Sequence, residues 1–149
     1  MDSSICPFCS IINKHDKDSI IFEDNYTLAF LDNRPLFVGH TLLIPKAHFG
    51  TLTDLPEDLI YQFFLNVKII DLAIQKAIPA DGSLIAINNK ISQSIPHLHV
   101  HIVPRKRKDG LRGFFWPRIN YESETAKRDI IQKIKNEISI HFEQNKPLL

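Results

Sequence analysis

Apolar and polar positions recur in this chain with two different periods, and the change of period marks its elements. Ile20-Ile21-Phe22-Glu23 and Thr27-Leu28-Ala29-Phe30-Leu31 flank Asp24-Asn25, a pattern that predicts two strands joined by a tight turn. Gly39 precedes a third strand, His40 to Ile44, stopped at Pro45. Thr53 or Asp54 can cap a helix with Pro56 and Glu57 in its first turn. Ile60, Phe63, Phe64, Val67, Ile70, Ile74 and Ile78 then follow at helical spacing, and Pro79 ends the run. Ser83 to Asn88 reads as a fourth strand and His97 to Val103 as a fifth. Ser123 can cap a last helix, about 123–145, with Ile130, Ile131, Ile134, Ile138 and Phe142 inward. Both helical stripes are expected to be core. Strands joined mostly by short turns, with helices segregated from them, predict an α+β domain: an antiparallel sheet of about five strands with two main helices. Such a sheet has an edge to hide, and dimerisation is one way to hide it.

The fifth strand carries the densest chemistry. His97, His99 and His101 alternate with Leu98, Val100 and Ile102. Residues i, i+2 and i+4 of a strand share a face, so three imidazoles about 7 Å apart line one surface while the apolar set enters the core. Three histidines can hold one metal, as in three-histidine zinc sites. They can be incidental polar groups on a solvated strand, a reading that the strict alternation disfavours. A neutral imidazole can also attack phosphorus, splitting one displacement into two, with a pKa suited to attack and departure.

Cys6-Pro7-Phe8-Cys9 is a second candidate. Two thiolates at this spacing can share one tetrahedral zinc, which needs two further ligands. His15, His40, His48, His97, His99, His101 and His141 are the possible sources, and spacing alone does not choose among them. A redox pair would normally follow a strand and open a helix, a context the flanking residues do not suggest. Two bystander thiols are the third reading.

Composition narrows the class. The chain has 149 residues, enough for one domain with a real core and too few for two comfortable ones, and 44% of them are apolar. It shows no repeats, low-complexity tracts or clear linkers. No apolar run is long enough to span a membrane, and Met1-Asp2-Ser3-Ser4 lacks a basic leader, so a cytoplasmic, reducing location is expected. Residues 1–104 hold 7 Lys and Arg against 11 Asp and Glu, and residues 105–149 hold 11 against 6. The basic excess begins at Arg105-Lys106-Arg107-Lys108. A solvated loop is the first reading of that run, and a field attracting polyphosphate is the second. No aromatic-studded basic face supports nucleic-acid binding.

The run from His97 to Val103 resembles the signature of the histidine triad (HIT) family, H-φ-H-φ-H-φ-φ with φ apolar. Matching segments lie in order at Ile21-Phe22-Glu23-Asp24, Ala29-Phe30-Leu31-Asp32, Gly39 through His48, Asn88, and Gln93-Ser94. The resemblance covers about residues 5–105 of a single 1–149 domain, with the rest a C-terminal extension. It implies the HIT-like fold, with the sheet continued across a homodimer. It also implies a nucleotide hydrolase that cleaves at the α-phosphate of purine dinucleoside polyphosphates or nucleoside phosphoramidates. By the resemblance, His99 is the nucleophile and forms a nucleotidyl-histidine intermediate. His101 contacts the α-phosphate, Gln93 and Ser94 bind the phosphate and leaving-group side, and His40 lies near the same phosphate. Asp32 takes the ribose hydroxyls, with Asn33 beside it and Asn88 close by. Phe8, Ile11, Phe30 and Leu42 form the apolar slot for the base.

The resemblance further implies a structural zinc on Cys6, Cys9, His48 and His97, pinning an amino-terminal loop to the strand. Two other activities fit the same residues. A nucleotidylyltransferase would hand the nucleotide to phosphate or a sugar phosphate. A non-catalytic purine-nucleotide-binding regulatory module would lack turnover, and the retention of His99 beside Gln93 and Ser94 argues against it. The chain departs from the family pattern at Ser92, where a glycine is common, and in a short Asn88–Gln93 loop. Pro104-Arg105 after the triad tilts the reading toward dinucleoside polyphosphate hydrolases. Trp116-Pro117 either packs on its own domain or reaches a partner's site.

Overall fold

The computed structural model describes residues 6–14, 20–111, 121–126 and 128–131. The chain divides into two compact units, Met1–Gly110 and Leu111–Leu149. The first is built from helix α1 (Pro7–Lys14), strands β1 (Ile20–Glu23), β2 (Thr27–Leu31) and β3 (Thr41–Pro45), helix α2 (Glu57–Ala77), and strands β4 (Gly82–Ile87) and β5 (Val100–Arg105). The strands form one antiparallel sheet in the order β1-β2-β3-β5-β4.

Strand parity assigns each side chain to a face. Ala29, Leu43, Val100 and Ile102 pack with Leu98 and with Phe63, Val67, Ile70 and Ile74 of α2. Leu28, Phe30, Leu42 and Ile44 point to the opposite face and pack with Cys6, Phe8 and Cys9 of the α1 region. Both β2 and β3 are therefore buried on both sides, which accounts for their nearly unbroken apolar sequence. Between them Gly39 has φ +91°, and a Cβ there would lie 2.1 Å from Ile78 Cδ1, so both backbone and packing demand glycine.

Several boundaries differ from the sequence expectation. β1 and β2 fall where the pattern puts them, but β5 starts at Val100 and ends at Arg105. His97 to His99 lie outside the ladder because Ser94 to His97 form a bend around Pro96. Their alternation survives, since Leu98 is in the α2 core while His99 packs against Phe8. β3 includes Pro45, which pairs with Thr27, and β4 runs from Gly82 to Ile87. Thr53 and Asp54 do not cap α2, whose N-cap is Pro56; they belong to a separate 3-10 turn in which Asp54 Oδ2 accepts the Thr51 N–H at 2.8 Å. Ile60 and Phe64 are exposed rather than core. The amino-terminal segment expected as a loop is α1, with Pro7 in its first turn.

In the second unit, residues 124–126 and 128–131 are helical, and Ser123 Oγ accepts the Ala126 N–H at 3.0 Å. Ile130 and Ile131 are exposed, not inward. Ile134, Ile138, Phe142 and Trp116 lie outside the described residues.

Candidate active site and metal centre

The site grows from two adjacent groups on the α1 face of the sheet. In the first, Cys6 precedes α1 and Cys9 sits one turn later, so both thiols leave the same side of the helix. His48 follows β3, and His97 lies just before β5. His97 Nε2 donates to the Pro45 carbonyl at 2.8 Å, which fixes its proton there. Its Nδ1 lone pair then faces Cys6 Sγ at 3.5 Å and Cys9 Sγ at 3.7 Å. His48 Nδ1 lies 3.3 Å from Cys9 Sγ.

These separations can be tested against a metal. A tetrahedral zinc with Zn–S of about 2.3 Å and Zn–N of about 2.0 Å sets S···N edges near 3.5 Å. The donor atoms match that edge, and all four lie within 4.8 Å of one another. The donor set fits a closed Cys₂His₂ centre. Burial pushes the His97 imidazole below its ordinary range, with His48 and His99 adding to this and the Pro45 bond opposing it, so the ring is neutral as a ligand must be. Burial, and then the neighbouring Cys6, push the Cys9 thiol up, and both cysteines are free thiols.

The second group is His99, His101, His40 and Asp32. His99 Nδ1 donates to the His97 carbonyl at 2.7 Å, which leaves the lone pair on Nε2. The His99 and His101 rings meet edge to face at 4.9 Å. Leu36 N–H donates to His40 Nδ1 at 3.2 Å. His40 therefore carries its proton on Nε2 and donates to His101 Nδ1 at 3.0 Å. His101 in turn carries its proton on Nε2. A relay of three donors, ending in an N–H beside His99, follows from one backbone amide.

Burial, reinforced by His99 and His40, pushes the His101 pKa down to about 4, so the relay is neutral near pH 7. His40 is lowered by burial, with Asp32 opposing. Asp32 Oδ2 lies 3.7 Å from His40 Nδ1, and its Oδ1 accepts the Arg34 N–H at 2.7 Å. Asp32, His40 and His101 could also hold a metal by proximity alone, but their facing nitrogens are already joined by a hydrogen bond.

Phe8, Phe30 and Leu42 form a buried apolar wall with Ile11 packed on it. The Phe8 ring lies 5.5 Å from Phe30, 5.3 Å from His99 and 5.8 Å from His97. Ile87 pairs with Val100, which sets Asn88 beside His99. Asn33 and Ser94 are exposed on the flanking loops. The Gln93 carboxamide ties its own loop to the segment after β3: Oε1 accepts the Lys90 N–H at 2.8 Å and Nε2 donates to the Gly50 carbonyl at 2.7 Å. Lys90 and Ser92 both have positive φ, 66° and 57°. His15 and His141 lie outside the described residues.

Sequence reasoning did not find the Leu36 amide, the Pro45 carbonyl or the Gly50 contact. All three are backbone groups; the Pro45 and Gly50 carbonyls lie 52 and 43 residues from their partners, and the Leu36 amide lies four from its own. Helix α1 was missed as well, although Pro7 was its available signal.

Residues 13–108 match the HIT domain family. The chain belongs to the HIT family. It is 39% identical over 108 residues to the adenylylsulfatase HINT3 of Arabidopsis thaliana, covering 71% of this chain and 55% of that protein. It is 36% identical over 109 residues to the adenosine 5′-monophosphoramidase HNT1 of Saccharomyces cerevisiae, covering 71% and 66%. A crystal structure of a HIT family member from Bacillus subtilis superposes with a TM-score of 0.79 at 32% identity, covering 89% of this chain and 96% of that one. A zinc-bound histidine triad protein from Mycobacterium smegmatis superposes at 0.67 with 34% identity, covering 93% and 99%.

Proposed function

We propose that this HIT protein is a nucleotide hydrolase acting through a nucleotidyl–His99 intermediate. The observation that carries the reading is the 2.7 Å bond from His99 Nδ1 to the His97 carbonyl, which leaves Nε2 as a fixed, unprotonated nucleophile. Nε2 forms a bond to the α-phosphorus as the bond to the leaving group breaks, and the departing atom takes up a proton from solvent. Water then attacks phosphorus and gives its proton back to solvent, the P–N bond breaks, and the imidazole returns with a nucleoside monophosphate released. His101 Nε2–H donates to a phosphate oxygen, with His40 holding its tautomer. Gln93 and Ser94 shape the phosphate and leaving-group side, and Asp32, Asn33 and Asn88 the ribose side. Phe8, Ile11, Phe30 and Leu42 enclose a purine.

The substrates are purine nucleotides with a cleavable α-phosphate bond: dinucleoside polyphosphates or nucleoside phosphoramidates, with the mixed anhydride named for the Arabidopsis relative as a third class. A panel of these, assayed with wild type and His99→Ala, tests the reading. His99→Ala should lose at least about a thousandfold in rate while still binding nucleoside monophosphate. Turnover near wild type in that variant overturns it.

Cys6, Cys9, His48 and His97 would hold zinc as a structural ion that cross-links α1 to the residues before β5. Metal analysis should give one zinc per chain, and well under one in protein never exposed to chelator counts against it. The working species is a homodimer continued through β4, in a cytoplasmic, reducing location that preserves the two thiols. β4 is an edge without proline or charge and exposes Ile85, whereas the other edge, β1, is irregular between Ile20 and Phe22 and ends in Glu23. Among the described residues no helix is long and apolar enough to cross a membrane.

A further inference from the structure

We infer that the metal group is also a nucleobase-affinity element: an ion on Cys6, Cys9, His48 and His97 fixes the Phe8 wall of the base slot. The inference rests on the nucleotide reading above. α1 has eight residues, well short of the roughly 12–15 at which an isolated helix becomes even marginal in water. Its position therefore depends on its anchors. Two of these are Cys6 and Cys9, whose partners His48 and His97 come from distant parts of the chain and flank the paired strands β3 and β5.

Phe8 lies between the two thiols in sequence. Its ring touches both sides of the junction, 5.8 Å from the ligand-bearing His97 ring and 5.3 Å from His99. It also packs edge-on to Phe30 at 5.5 Å. Holding Cys6 and Cys9 at one point sets both the location and the rotation of α1. It thereby sets where the Phe8 and Ile11 side chains stand. The phosphate and ribose groups sit on other elements: His99 and His101 around β5, and Asp32 and His40 on the β2–β3 connection, held by backbone bonds that need no ion. The ion should therefore strengthen binding of a ligand that carries a base and leave a base-free ligand unaffected. Linkage makes the effect reciprocal, so the base-bearing ligand tightens the ion by the same factor.

The test uses the full chain and two ligands, adenosine monophosphate and ribose 5-phosphate, titrated calorimetrically with one zinc bound and after chelation. Chelation should raise the Kd of adenosine monophosphate about tenfold and leave ribose 5-phosphate within about twofold, with re-added zinc restoring the first value. In Phe8→Ala the two adenosine monophosphate values should converge, because the wall the ion positions is gone. Amide exchange in Pro7–Lys14 should quicken on chelation while β2 and β3 stay protected, which shows that the fold persists. Equal adenosine monophosphate affinity with and without zinc overturns the inference, and so does an equal loss for both ligands. No adenosine monophosphate binding to the zinc-loaded chain overturns the nucleotide reading itself, and the inference falls with it.

Discussion

Replacing His40 by Phe should break the relay that sets the His101 proton, and the cost can be worked from its bonds. In the wild type, Leu36 N–H occupies His40 Nδ1 at 3.2 Å, and His40 Nε2–H reaches His101 Nδ1 at 3.0 Å. Phe keeps the ring volume and removes both links. A neutral hydrogen bond contributes about 0.5–1.5 kcal/mol net, and a half-buried acceptor left unpaired adds roughly 1–3 kcal/mol. If that cost falls on the correctly oriented state, kcat/KM drops by a factor between about ten and about two thousand. His40→Gln places an N–H near the position of Nε2 and should recover most of the loss.

A second readout follows from charge. His101 is held down to about 4 by burial first, then by His99 and His40. Removing His40 removes one of the effects that disfavour imidazolium, so the His101 midpoint must rise in His40→Phe. The assay pairs kcat/KM on a nucleoside phosphoramidate with an NMR titration of the His101 ring. Equal losses in the Phe and Gln variants would refute the tautomer reasoning, as would a His101 midpoint that stays put or falls.

Other outcomes follow from the same coordinates. Ser92→Gly removes a left-handed serine at φ 57°; the relief of about 1–2 kcal/mol exceeds the glycine entropy cost of about 0.5–1 kcal/mol, so chemical denaturation should show a gain near 1 kcal/mol. Asn66→Ala strips the 2.7 Å and 2.9 Å bonds to Asp24 and Thr27 and should cost about 1–3 kcal/mol. For Asp24, burial alone would raise the carboxyl, but bonds from Asn66, Tyr26 and Thr27 outweigh it and leave the pKa lowered. Its contribution to stability is therefore complete above the unfolded carboxylate range and is lost as pH falls through the lower folded value, and Asp24→Asn should flatten that part of an acid denaturation curve. Light scattering should give twice the 17.2 kDa chain mass, and Ile85→Lys on β4 should shift it toward monomer; a fully active wild-type monomer would refute the edge pairing. Replacing Lys106, Arg107 and Lys108 by Ser should leave kcat unchanged, since these residues sit on a turn tied to Asp81 and Asp109 beyond the end of β5; a large fall in kcat would place them in the site.

The parts of the fold legible in the sequence were those set by side-chain period. β1 and β2 are bounded by turn residues and could be placed to the residue. At the triad the parity was legible but the ladder was not, because Pro96 and the bend before it delay pairing without changing which face each residue takes. Helix α1 was hidden because eight residues give the helical period little room, and its anchor is a group that could hold a metal. The cysteine pair was visible, but its histidines were not selectable by spacing. His48 and His97 are brought to it across 39 and 88 residues by the fold. The relay depends on a backbone amide, and no pattern of side chains announces that.

His97 belongs to both groups. Its side chain faces the cysteines while its carbonyl takes the His99 Nδ1 proton. Its Nε2 is in turn tied to Pro45 at the end of β3. The Pro45 bond holds His97 with or without an ion on Nδ1, so the carbonyl that sets the His99 tautomer keeps its place when the ligand group is empty. The irregular backbone at His97 to His99, which costs ladder bonds that a longer strand would supply, is thus where the sheet gives up regularity to aim one carbonyl at His99 and one imidazole at the thiols.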